Sequence, residues 1–184
     1  MDNISNITSV RNVANALTDN RDMIDHKTVS AYIGYLANAF AFYKIRRYDI
    51  HGKKYLATLD KYYLSDHSFR YSKLGTKNLD TGRVIENIVA MELLRRGYEV
   101  YVGVLYKKEI DFVAIKGNKK CFIQVAYLLQ NEETIKREFG AYEKITDASP
   151  KYVLSLDKID LGHDGIIHLN IVDFLMHKEN LYVS

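Results

Sequence analysis

The chain has 184 residues with 26 Lys and Arg, 23 Asp and Glu and a formal net charge of +3, which fits one large or two small domains and is too mild to mark nucleic-acid binding by itself. Its 47% hydrophobic and 27% charged content excludes a disordered chain, and no apolar run approaches the ~20 residues of a membrane helix, so no membrane partner is expected. A single cysteine, Cys121, excludes an internal disulfide and a Cys-rich zinc site, which makes a reducing cytoplasm the expected location.

Ser9 is placed to cap a short helix, Val10 to Leu17, with Val10, Val13, Ala14 and Leu17 at helical spacing. Asp25 is placed to cap a longer one, His26 to Ala39, whose Val29, Ile33, Leu36 and Phe40 form one apolar stripe. Lys27 and Ser30 fall on its other side. Residues 42–48 read as a strand, Asp49 to Gly52 as a turn, and Lys54 to Leu64 as a second strand. Two helices followed by a hairpin is the order of a winged helix-turn-helix. Residues 1–80 carry 12 Lys and Arg against 8 Asp and Glu, while residues 81–184 carry 14 against 15. The basic excess sits at the hairpin, in Lys44, Arg46, Arg47, Lys53 and Lys54. With Lys27 and Ser30 these are the candidate nucleic-acid-binding residues.

Asp66 to Leu79 reads as a polar linker, dividing a winged-helix domain, 1–78, from a second domain, 79–184. The second begins with a helix from Thr81 to Arg96, stopped at Gly97. Strands follow at Tyr98–Val104, Ile110–Ile115 and Lys120–Tyr127, then a charged helix at Glu132–Lys144. Strands at Tyr152–Leu156 and Ile166–Leu169 and a helix at Ile171–Met176 complete a mixed sheet flanked by helices, an α/β (α+β) arrangement.

The chain has no Walker A stretch and no Gly-rich dinucleotide loop. Three side chains stand out instead. Glu86 lies within an apolar helical arc of Val89, Ala90 and Leu93; Asp111 begins an apolar strand; Gln124 sits in the middle of another. Buried oxygens need a cation or donors to meet them. Two readings remain open on spacing alone: a site for a hard cation such as Mg²⁺, or a polar cluster satisfied by backbone and water.

Glu86, Asp111 and Gln124-Val125-Ala126 resemble the PD-(D/E)XK nuclease family, with its restriction-endonuclease-like fold. The resemblance implies catalytic and Mg²⁺-binding roles for Glu86, Asp111 and Gln124. More of the chain, including Arg47-Tyr48-Asp49-Ile50-His51-Gly52-Lys53-Lys54, Lys61-Tyr62-Tyr63-Leu64-Ser65-Asp66, Arg95-Arg96-Gly97-Tyr98-Glu99-Val100 and Lys151-Tyr152-Val153-Leu154-Ser155-Leu156-Asp157, is similar to the C-terminal region of a family of prokaryotic AAA+ ATPases. That likeness implies the tail of a longer protein whose ATPase domain precedes Met1, with that domain and DNA as partners. One departure stands out: the nuclease pattern wants lysine where this chain has Ala126. Lys108, Lys136 and Arg137 are candidates to supply the cation instead. The expected function is therefore a DNA-binding and interaction tail with a degenerate nuclease-like domain. The alternatives are a working Mg²⁺-dependent endonuclease and a protein–protein module.

Overall fold

The computed structural model describes residues 9–18, 24–75, 80–106, 108–177 and 181. The elements run α1 (Val10–Leu17), α2 (His26–Asn38), β1 (Phe42–Asp49), β2 (Lys54–Leu64), α3 (Ser68–Leu74), α4 (Thr81–Arg95), β3 (Glu99–Leu105), β4 (Lys108–Lys116), β5 (Lys119–Val125), α5 (Glu132–Phe139), β6 (Lys151–Ser155), β7 (Ile166–Asn170) and α6 (Ile171–Leu175). A short 3-10 turn, Gly140–Tyr142, follows α5 where one continuous helix was expected.

The seven strands of the described residues form one mixed sheet in the order β2-β1-β3-β4-β5-β6-β7. β1 pairs antiparallel with β2 and parallel with β3, through Arg47–Asp49 against Val102–Val104. The hairpin expected as a wing is thus continuous with the sheet of the second half. The expected division between residues 78 and 79 lies outside the described residues. Part of the expected linker is helix α3, begun by the Asp66 carboxylate accepting from Ser68 N–H at 2.7 Å and closed at Gly75, whose φ is +66°.

The sheet separates two apolar clusters. One packs Val89, Ala90 and Leu93 of α4 and Phe174 of α6 onto Tyr63, Phe112, Ile123 and Tyr152. The other packs Phe139 and Tyr142, from the α5 region, onto Val113, Phe122 and Val153. Gly103 permits the close approach of β3 and β4, since a Cβ there would lie 2.9 Å from Ile110 Cβ. Glu92 on α4 is gripped by Arg95 and Arg96, and Arg96 also donates to the Phe174 carbonyl, tying α4 to α6.

The expected stripe on α2 is only partly buried. Val29 is 4% exposed, but Leu36 is 44% and Phe40 68% exposed. The helix packs chiefly on α1 and β1, and Phe40 falls beyond its end with a positive φ of 57°. Among the described residues no helix is long and apolar enough to cross a membrane.

Candidate functional site

The β4–β5 ladder ends at the Phe112/Ile123 pair, and the strands splay at the next residues, Asp111 and Gln124. Backbone donors freed there find side chains. Asp111 N–H donates to Gln124 Oε1 at 3.3 Å, and Val125 N–H donates to Asp111 Oδ2 at 2.8 Å. Glu86 approaches from α4, whose apolar neighbours lock the helix to this face of the sheet. Glu86, Asp111 and Gln124 are therefore brought to one end of the central strands.

Two further residues come from β2. Tyr63, fully buried, donates its hydroxyl to Glu86 Oε1 at 2.7 Å. Lys61, two residues earlier and on the same strand face, has a side chain only 7% exposed. Its Nζ lies 3.3 Å from Glu86 Oε1 and 2.6 Å from Glu109 Oε1. These groups control one another's protonation. Burial alone would lower the Lys61 pKa, but Glu86, Asp111 and Glu109 together raise it above its ordinary value, so the ammonium stays charged. Burial raises the Glu86 pKa, opposed by Lys61 and Tyr63. Burial and the neighbouring Glu86 drive Asp111 well above the usual carboxylate range. The chemistry on offer is a nearly buried ammonium held among three carboxyl groups.

The cations proposed from sequence to replace the motif lysine are engaged by other groups, and the Glu138 that holds Arg137 is close enough to Asp111 to raise its pKa. Lys108 donates to the Gly140 carbonyl at 2.8 Å, Lys136 faces Glu132 at 3.6 Å, and Arg137 binds Glu138 at 2.7 Å. Ala126 is 6% exposed within the second apolar cluster. Lys61 is the residue the sequence reading missed. Its signal was a lysine in phase with the buried Tyr63, but nothing local says that β2 lies beside α4. Among the described residues no three His, Cys, Asp or Glu side chains converge as a ready metal-binding group.

The candidate nucleic-acid residues form a looser set. Lys27, Ser30, Lys44, Arg46, Lys53 and Lys54 are exposed. Lys44 is already paired with Asp60 at 2.9 Å, and the Arg46 guanidinium lies 5.5 Å from the centre of the Tyr55 ring. Arg47 is half-buried and enters the β1–β3 pairing.

Comparison with known proteins adds four findings. Residues 1–80, which include Lys61 and Tyr63 but not Glu86 or Asp111, match a domain of unknown function (DUF8612). An uncharacterized protein of Haemophilus influenzae is 36% identical over 179 residues, 95% of this chain and 43% of that protein. An uncharacterized protein of Methanocaldococcus jannaschii is 33% identical over 162 residues, 85% of this chain and 34% of that protein. No solved structure matches at a significant level. The chain thus spans less than half the length of these curated relatives.

Proposed function

We propose that this chain is a nucleic-acid-binding and interaction tail of a longer AAA+ ATPase-type protein, built on a nuclease-like scaffold whose acidic site does not cut. The observation that carries the reading is the engagement of the site by the protein itself. Glu86 is met by Lys61 and Tyr63, Glu109 by Lys61, Asp111 by Val125 N–H, and the Gln124 carbonyl by Asp111 N–H. Mg²⁺ demands near-octahedral oxygen ligands at about 2.0–2.1 Å, and a donor set with an ammonium already 3.3 Å from Glu86 and 2.6 Å from Glu109 does not fit it. The relatives, more than twice as long as their matched part, support a larger parent protein. The exposed Tyr32, Tyr35 and Leu36 on α2, with Phe40 just beyond its end, offer it an apolar surface.

The DNA-facing part of the reading rests on Arg46, Lys53 and Lys54, exposed at and beside the hairpin turn. The second reading, an active Mg²⁺-dependent endonuclease, is favoured by Lys61, a cation beside the carboxylates in spite of Ala126. Incubation of a labelled duplex with the chain in Mg²⁺ or Mn²⁺ separates the two. The proposal expects salt-dependent binding and no more cleavage than Asp111→Ala gives. Alanine at Arg46, Arg47, Lys53 and Lys54 should reduce the salt slope of affinity by about 0.9 for each phosphate that is no longer neutralised. Cleavage by the natural chain that disappears in Asp111→Ala would establish the enzyme instead.

A further inference from the structure

We propose that Lys61 is the resident cation of the acidic site: its ammonium stands among Glu86, Glu109 and Asp111 in place of a divalent ion and keeps that ion out. The inference rests on the nuclease-like reading of the site and gives its silence a physical cause.

Three observations carry it. The first is position. Lys61 Nζ is 2.6 Å from Glu109 Oε1 and 3.3 Å from Glu86 Oε1, with the side chain almost out of solvent. An ammonium at these distances forms an ion pair with Glu109 and a charge-assisted hydrogen bond to Glu86. It also holds them farther from a common centre than magnesium coordination allows. The second is charge. Glu109 raises the demand of Glu86 for a proton, and Glu86 raises that of Asp111, because like charges so placed resist joint ionisation; Lys61 opposes that repulsion. A metal ion approaching the natural site meets a fixed positive charge already there, and Coulomb repulsion at such separation is strong in a partly buried setting.

The third is anchorage. The Lys61 backbone is held in place, because Lys61 pairs with Ile45 and Tyr62–Leu64 pair with Phe42–Lys44 beyond an irregularity at residues 57–60, and β1 is paired with β3. The end of β2 is also clamped to α4, since Asn87 Oδ1 accepts from Leu64 N–H and Asn87 Nδ2 donates to Leu64 O, each at 2.8 Å. The cation that the motif places two residues after Gln124 is thus delivered from a different strand. It is directed at the site's own carboxylates rather than at a phosphate.

The test is Mn²⁺ binding by the full chain, followed by the loss of the free-ion electron paramagnetic resonance signal, with thermal unfolding in parallel. Lys61→Met should bind Mn²⁺ at least about tenfold more tightly than the natural chain, and its unfolding temperature should rise with added Mn²⁺. Adding Glu86→Gln to Lys61→Met should remove the gain. If Lys61→Met does not fold without metal, Lys61→Met/Glu109→Gln removes one charge of each sign, and the same direction of change is expected. A folded variant that binds Mn²⁺ no better than the natural chain overturns the assignment. So does tight binding by the natural chain that weakens in Lys61→Met. Metal-dependent DNA cleavage by the natural chain that is lost in Asp111→Ala would overturn both readings, whereas no cleavage together with unimproved Mn²⁺ binding by Lys61→Met overturns this one alone.

Discussion

Replacing Asn87 by alanine should show how firmly the N-terminal hairpin is built into the rest of the molecule. Asn87 is 1% exposed, and its amide makes both hydrogen bonds to the backbone of Leu64, itself 1% exposed. Alanine leaves Leu64 N–H and C=O without that partner in a site closed to bulk water. Each buried group left unsatisfied costs about 1–3 kcal/mol, so the pair should cost about 2–6 kcal/mol. That is a large part of the ~5–15 kcal/mol by which domains are usually stable. Asn87→Asp keeps an acceptor for Leu64 N–H but sets a carboxylate against Leu64 C=O, so at neutral pH it should be at least as damaging. Urea denaturation followed by circular dichroism measures both, with an unchanged slope as the sign that cooperativity is kept. A loss under about 0.5 kcal/mol for Asn87→Ala would refute the reasoning and show that hairpin and α4 are only loosely joined.

Two further predictions concern single titratable groups. Hydrogen bonding to Arg95 and then Arg96, against the opposing effect of burial, holds the Glu92 pKa down at about 2 from an ordinary 4.5. A depressed carboxylate stabilises the fold above its unfolded pKa and loses that contribution as pH falls through the folded one. Glu92→Gln should therefore flatten the fall in stability between pH 4.5 and 2, and an unchanged acid limb would count against the linkage. Burial pushes the Cys121 thiol up to about 12, so it should resist thiol reagents at neutral pH in the folded chain and react only on unfolding. Rapid labelling of the native chain would contradict that burial.

Local chemistry was enough to read most elements. Ser9 accepts from Asn12 N–H at 3.1 Å as the cap of α1, and Gly97 follows α4 with a φ of +78°. The order helix, three strands, helix, two strands, helix in the second half was written in its periodicity and turns. The juxtaposition of Asp111 and Gln124 followed from two strands joined by a tight turn, and Glu86 from its odd place in an apolar arc. Two things were not legible. Helix α3 has little apolar periodicity; ahead of its N-cap His67 the Asp66 carboxylate accepts from Ser68 N–H, and Arg70 within it is buried. The arrival of Lys61 depends on β1 pairing in parallel with β3, more than fifty residues away in sequence, and no local pattern encodes such a long-range pairing.

The central claim is that the acidic site is neutralised from within by Lys61 and takes up no divalent ion. Mn²⁺ titration of the ¹⁵N-labelled natural chain, followed by amide resonance intensities, tests it most directly, because the paramagnetic ion broadens signals near its binding site. The account predicts that Glu86, Asp111, Gln124 and Val125 lose no more intensity than amides near exposed acids such as Glu132 and Glu133. Selective loss of signal at those four, at Mn²⁺ concentrations that spare the surface, would contradict it.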